Sequence, residues 1–348
     1  MTNEQFSGPL FVIGMWRSGT SLLYTLLNQH TEVALMYESD LFLLRSLFGA
    51  GGGKADWLER WEFWNNGMSR HNIDAGSLPA RAASYSQAAT EVWRQYSKGA
   101  LYGEKSPNYF DSLQPLAREF PKARFLVIWR DLNDTCRSIA QAGKGSSFFA
   151  KRGITHRALI GYRKMKRECD ALERRGVPLH QIYYEEMVQS PEIVMRGICA
   201  FLDIEFEPRM ISLIGADRSA IYDAPQHAGV KSEKIGLNGN GKDKAALDPE
   251  LRAKIARYIA HWKDATDGAW PVYPRKAEAV RSLGIAERAS DEIYYRALRF
   301  FDRFTAFVYC YAPIPVLRRY RGAKAQPAAE PESKALQEPA LTQASNQN

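Results

Sequence analysis

The sequence predicts an α/β fold: a parallel sheet flanked by helices, with a helical insertion and a C-terminal helical extension. Two strand–loop–helix units and two further short strands predict it. In the first unit Leu10, Phe11, Val12 and Ile13 form an apolar run of β-favouring residues. Leu22, Leu23, Leu26 and Leu27 recur at helical spacing behind the loop Gly14 to Ser21. In the second unit Arg124 to Trp129 (RFLVIW) is a buried-type strand, closed by Arg130 and Asp131 and followed by a helix over Asn133 to Ala142. Thr31 to Met36 and Leu101 to Pro107 read as short strands between them. The 348 residues, 45% hydrophobic and 25% charged, supply a full core and exclude a disordered or fibrous chain.

The first loop is where chemistry is expected. Gly14, four intervening residues and Gly19 reproduce the spacing of a loop that cradles phosphate with backbone N–H groups at a helix N-terminus. A nucleoside triphosphatase would place Lys after Gly19. Thr20 and Ser21 stand there instead, and the cation has moved back into the loop as Arg17. Ser18, Thr20 and Ser21 add hydroxyl donors. The loop suits an anion that needs hydrogen bonds and one fixed positive charge without an obligatory magnesium ion, a description that fits a nucleotide 5′-phosphosulfate. The bland alternative is a capped helix start after a strand.

A formal net charge of +8 favours anionic partners: nucleotides, sulfated products, acidic glycans or a membrane surface. Nucleic acid is not expected, because the basic residues are dispersed and no binding motif accompanies them. Cys136, Cys169, Cys199 and Cys310 lack metal-ligand spacing and read as buried thiols of a reducing compartment. The N-terminal segment has neither the basic start nor the long apolar stretch of a secretory signal. No run approaches the roughly 20 apolar residues that cross a bilayer. A cytoplasmic chain is expected, with peripheral membrane contact as its one route to a bilayer.

Glu38 and Asp40 follow the second strand, at the end where an open α/β sheet lines its ligand crevice. Gly49 to Lys54 reads as a joint, since no β-branched strand precedes it. Residues 55–100 read as helical and rich in rings, among them Trp57, Trp61, Trp64 and Trp93. Helix packing is the plain reading, and a wall of the acceptor site the functional one. The third strand ends in Glu104, Lys105, Ser106 and Pro107. There the Lys105 ammonium would neutralise charge growing on a leaving oxygen, unless it is a plain surface lysine. Arg130, with Arg137 and Ser138 on the next helix, places a guanidinium and a hydroxyl where a second phosphate can be held; an ion pair with Asp131 is the alternative for Arg130. One nucleotide with two anionic groups would occupy both loops.

These residues resemble a family. Gly14 to Leu22 is similar to the 5′-phosphosulfate loop of the sulfotransferases, and Arg130 with Ser138 resembles their 3′-phosphate pair. The order of segments from Leu10 to about Pro208, including GEKSPNYF, FPKARFLVIWRD and YYEEMVQSPEIVMRGICAFLDIEF, resembles the branch of protein-tyrosine and carbohydrate sulfotransferases. The resemblance implies a P-loop-like parallel sheet, 3′-phosphoadenosine 5′-phosphosulfate (PAPS) as donor, no metal, and a hydroxyl-bearing glycan, lipid or small-molecule acceptor. It implies Arg17, Ser18, Gly19, Thr20, Ser21, Arg130 and Ser138 as donor-binding residues, and Glu38, Arg17 and Lys105 as catalytic ones. Glu38 follows Arg17 at the separation at which the tyrosine-sulfating branch carries its base. Pro107 stands where the cytosolic small-molecule enzymes carry a catalytic histidine. The rival readings are a phosphoryl-transfer enzyme on the same fold and a non-catalytic, membrane-associated nucleotide-binding protein.

Downstream, Tyr183 to Val188 is expected to end a strand and Pro191 to Leu202 to form a helix with Pro in its first turn. His227 to Lys244 is glycine-rich and basic. It resembles the family's mobile segment over the nucleotide, with Lys231 or Lys242 at phosphate, and a solvated loop is the simpler reading. Leu247 to Trp262 reads as a capped amphipathic helix. Ser290 is expected to cap a helix running to Tyr311, with Ile293, Ala297, Phe301, Phe304 and Val308 on one stripe and Arg296, Arg299 and Arg303 off it. Residues 290–321 therefore read as an interfacial element on anionic lipid, or as one packed on the main domain or a twin subunit. Residues 1–270 are expected to form the main domain, 271–321 the helical extension and 322–348 a disordered tail.

Overall fold

The structure is a computed structural model that describes residues 8–50, 54–78, 84–97, 101–221, 235, 247–265 and 281–322. Five strands, β1 (Leu10–Gly14), β2 (Met36–Tyr37), β3 (Gly103–Lys105), β4 (Arg124–Trp129) and β5 (Leu179–Tyr183), form one parallel sheet in the order β2-β3-β1-β4-β5. Both faces of the central strands are covered, so their residues divide by parity. Phe11, Ile13, Phe125, Val127 and Trp129 enter one hydrophobic cluster, while Leu10, Val12, Leu126 and Ile128 enter the other.

Helix α1 (Thr20–Leu27) buries its leucines in the second cluster. The helices α2 (Lys54–Asn65), α3 (Gly67–His71) and α4 (Tyr85–Ser97) make up the insertion, and Trp57, Trp61 and Trp93 are buried in the first cluster. That cluster also takes α5 (Leu113–Glu119), α6 (Leu132–Ala142) and α7 (Ile154–Arg174). Two helices follow β5, α8 (Tyr184–Gln189) and α9 (Pro191–Leu202), and the latter covers the second cluster with Met195 and Ile198. Because α1 leaves β1 on one face and α6 leaves β4 on the other, the strand order reverses beside β1. The C-terminal ends of β1 and β4 therefore bound the crevice in which such sheets take ligands. All four cysteines are buried.

Three boundaries differ from the sequence reading. The second strand is not Thr31 to Met36: Asn28 both donates to Leu35 O and accepts from Leu35 N (3.0 Å each), and His30 Nδ1 accepts from Glu32 N at 3.0 Å. These side chains satisfy part of the local backbone, Val33 makes an isolated bridge with Leu101, and the strand proper is Met36 and Tyr37, paired with Glu104 and Lys105. β5 ends at Tyr183 and the residues Tyr184 to Gln189 are helical. The long helix near the C-terminus begins at Ile285, because Glu287 accepts from Gly284 N at 2.9 Å and closes the first turn; Ser290 is an exposed residue inside it.

This helix follows α10 (Pro249–Ala265) in the chain and is α11 (Ile285–Tyr311). It packs against α2, α7 and the 3₁₀ segment Leu41–Ala50. The expected apolar stripe does not make that contact: Ile293, Phe301 and Phe304 are 70%, 65% and 55% exposed, while Asp291 and Tyr295 are buried. The chain divides into two compact units, Met1–Ala312 and Pro313–Asn348, and the second contains α12 (Ile314–Gly322). Among the described residues, no helix is long and apolar enough to cross a membrane.

Candidate active site

β1 runs out at Gly14, opposite Ile128. A Cβ at Gly14 would lie 2.6 Å from Ser18 Oγ and 2.8 Å from Thr20 Cγ2, so only glycine lets the following loop fold back on the strand end. The reversal is closed by Ser18 N donating to Met15 O at 3.0 Å, and Gly19 enters α1 in a left-handed conformation at φ 103. Arg17 is also left-handed, at φ 67. Ser138, on α6, accepts from Arg17 Nε at 3.1 Å, and Arg130 Nη1 donates to Arg17 O at 2.9 Å. The two expected anion cradles thus meet on one sheet edge.

Burial lowers the pKa of Arg17, and the neighbouring Arg130 charge lowers it further. Two guanidiniums brought this close favour an anion beside them. Ser18 Oγ and Arg130 Nε are buried and have no hydrogen-bond partner among the described residues. Tyr184 stands between the loops: Arg130 lies 4.2 Å over its ring, and a Cβ at Gly19 would come within 2.3 Å of that ring. Asp131 caps α6, accepting from Asp134 N at 3.0 Å.

Across the N-terminus of α1 lies the other half of the site. Tyr37 pairs with Lys105 in the sheet, and Glu38 N donates to Lys105 O at 2.7 Å. Glu38 then turns through φ 49, and its Oε1 meets Lys105 Nζ at 2.5 Å. Lys105 is fully buried, 3.4 Å over the Tyr37 ring and 3.4 Å from Ser21 Oγ, which in turn is 2.8 Å from Tyr37 OH. Burial lowers the pKa of Lys105, and the Glu38 carboxylate opposes that shift. The ammonium therefore links the Glu38 carboxylate to the helix that opens the loop. Asp40 is placed differently: its oxygens accept from Ser106 Oγ at 2.7 Å and Asn108 Nδ2 at 3.0 Å, bracing the turn after β3. Burial, with the Glu38 charge adding to it, pushes Asp40 up to about 6.

The insertion supplies Asn65 and Arg70, which the sequence reading did not single out, and Trp61, which it named only among the rings. Asn65 Nδ2 donates to Glu38 O at 3.1 Å and Ser39 O at 2.9 Å, Trp61 Nε1 donates to Ser39 O at 2.8 Å, and Arg70 Nη2 donates to Tyr37 O at 3.0 Å. Their only trace in the sequence is polar groups embedded in an aromatic helical stretch, and Tyr184 left no trace beyond its ring. Apart from residue 235, the segment His227 to Lys244, with Lys231 and Lys242, lies outside the described residues.

The model of the Sulfotransferase family matches residues 9–208, which hold every residue of this site. The chain belongs to the sulfotransferase family. This sulfotransferase is similar to a Caenorhabditis briggsae protein that carries a provisional protein-tyrosine sulfotransferase name, 26% identical over 225 residues that make up 62% of this chain and 73% of that one. It is also similar to protein-tyrosine sulfotransferase A of Caenorhabditis elegans, 26% identical over 60% of this chain and 54% of the worm protein. Among solved structures it is similar to the sulfotransferase domain from the curacin biosynthetic pathway, with a TM-score of 0.47 and 19% identity over 73% of this chain and 97% of that domain.

Proposed function

We propose that this sulfotransferase moves a sulfuryl group from PAPS to a hydroxyl of a glycan, a lipid or another acceptor, with Glu38 as the base and no metal. The observation that carries the reading is the contact of Arg17 with both Ser138 and Arg130, which puts two cation-and-hydroxyl pairs on one edge. The residues fit a donor with two anionic groups. Ser18 Oγ and Arg130 Nε are buried polar groups without partners among the described residues, and the glycine turn brings backbone N–H groups to the same place.

In this reading Arg130 and Ser138 grip the 3′-phosphate and fix the nucleotide without taking part in bond changes. Glu38 takes the acceptor proton as the acceptor oxygen bonds to sulfur and the bond from sulfur to the phosphate oxygen breaks. Lys105, Arg17 and the loop N–H groups meet the charge that collects on the departing phosphate. Protonation of Glu38 removes the partner charge of Lys105 and leaves its ammonium to that phosphate. The names of the two worm relatives support a hydroxyl acceptor.

The test is an acceptor screen with labelled donor, run on wild type and Glu38→Gln. The expected result is turnover slowed by roughly 10²- to 10⁴-fold with unchanged affinity for 3′,5′-bisphosphoadenosine. Unchanged turnover would remove Glu38 from its role, and magnesium-dependent turnover of ATP would favour phosphoryl transfer instead.

A further inference from the structure

Helix α11 is mounted with its charged side inward. Asp291 accepts from His156 at 2.7 Å and from Tyr258 OH, Glu292 pairs with Lys164 at 2.6 Å, and Asp302 pairs with Arg157. Glu287 pairs with Arg257, and Arg299 reaches Asp111 at 2.9 Å. Arg60 of α2 donates to Tyr309 O at 2.9 Å and Ala312 O at 2.8 Å, fixing the C-terminal end. Every acid of the helix is therefore engaged by a side chain of another element.

The outward side holds what is left. Ile293, Phe300, Phe301, Phe304, Phe307 and Tyr311 are 43% to 70% exposed, and Phe300, Phe304, Phe307 and Tyr311 recur at spacings of three and four residues along one stripe. Arg296 and Arg303 are exposed beside that stripe, and Arg296 pairs with Glu292 of its own helix at 3.1 Å. Such an exposed run of large rings marks an interaction surface. Its charge selects the occupant. A second copy paired through this stripe would bring two cationic faces together, while Glu287, Asp291, Glu292 and Asp302 are already engaged by their own chain. An anionic surface would meet both cations while taking the rings into its headgroup boundary.

We infer that the outward face of α11 docks this sulfotransferase in the plane of an anionic lipid surface. Phe301 and Phe304 enter the acyl boundary, and Arg296 and Arg303 sit at the headgroups. The chain runs on into α12, whose sequence adds Arg318, Arg319 and Arg321. The docking face and the candidate active site share one support, because α2 holds the end of α11 through Arg60 and the Glu38 backbone through Asn65.

The full chain is sedimented with vesicles of phosphatidylcholine alone or mixed with phosphatidylglycerol. Binding is expected only to the mixed vesicles, to weaken with salt, and to fall by at least about tenfold in the double variant Phe301→Ser, Phe304→Ser and in Arg296→Glu, Arg303→Glu. Both pairs are exposed, and far-UV circular dichroism should match wild type. Independently, the emission of Phe304→Trp is expected to shift to the blue on adding mixed vesicles. Failure of wild type to bind, or binding unmoved by either double variant, overturns the proposal. So does a Phe304→Trp emission already blue-shifted without vesicles and unmoved by them, which would mean that the chain itself or a second copy covers the face. Light scattering that shows a dimer dissociating in the serine variant overturns it in favour of self-association.

Discussion

Arg17, Glu38 and Asp40 take left-handed backbone angles of φ 67, 49 and 55, a conformation that costs a non-glycine residue about 1–2 kcal/mol. At Arg17 that strain is held by Ser138 on its guanidinium and Arg130 on its carbonyl, so the two loops fix each other. Arg130→Ala is therefore expected to weaken 3′,5′-bisphosphoadenosine binding by about 2–3 kcal/mol, the range of a charge-assisted hydrogen bond. The 5′-monophosphate should lose much less, and calorimetry with both ligands checks the difference; equal losses would take the 3′-phosphate away from Arg130. Lys105 is tied more tightly still, buried between Glu38, Tyr37 and Ser21. Lys105→Arg should fail to rescue the activity lost in Lys105→Met, because the broader guanidinium does not fit a fully buried point-charge position. Steady-state rates of both variants decide it, and near-wild-type turnover of Lys105→Arg would show that charge alone suffices. The placement of Arg17, Lys105, Arg130 and Ser138 on one sheet edge was legible because each sits near a strand end or on the helix that follows. The bracing of Asp40 was not legible, since its partners Ser106 and Asn108 come from another strand's turn.

With Glu38 in the proposed role, the insertion would act on turnover through the backbone. Asn65 and Trp61 donate to the carbonyls of Glu38 and Ser39, and this holds a strained turn in one geometry. Asn65→Ala is expected to lower kcat by about tenfold or more while leaving bisphosphate affinity in place. A matching loss of affinity would mean that the variant disturbs the whole sheet edge. Elements were legible where the chain itself sets their period. β4 is a run of apolar residues bounded by charges, and α9 starts at Pro191 where the sequence says it should. β2 was misread because Asn28 and His30 claim the backbone of the residues before it. The outward turn of α11 was hidden for a different reason: the cations that hold its acids lie on α7 and α10, more than a hundred residues away for α7. Periodicity shows that a helix has an apolar side and a charged side, and only those distant partners decide which side faces in.

At the scale of the molecule, the sheet edge that gathers the site also buries carboxylates beneath it. Glu104, on the central part of the sheet, is fully buried, and burial pushes it up to about 7 from an ordinary 4.5. Asp40 beside it is pushed to about 6 from 3.8, again by burial first. The folded chain thus prefers both groups protonated, and the sign follows from that preference. Their contribution to stability is complete below the unfolded values and is lost as the pH rises through the folded ones. One unit corresponds to about 1.4 kcal/mol, so Glu104 alone should make the fold on the order of 3 kcal/mol less stable above about pH 7 than near pH 4. Carboxylates held in ion pairs, such as Asp291 with His156, pull the other way at low pH, so the informative quantity is a difference between variants. Glu104 accepts hydrogen bonds from Ser39 and Tyr109, and Glu104→Gln keeps a carbonyl acceptor at that position while removing the titration. Urea midpoints measured from about pH 5 to 8 are expected to fall more steeply for wild type than for Glu104→Gln, the two curves converging at the acid end. Parallel curves would show that Glu104 stays ionised in the folded chain, and that the hydrogen bonds from Ser39, Tyr109 and the Asp40 backbone offset its burial.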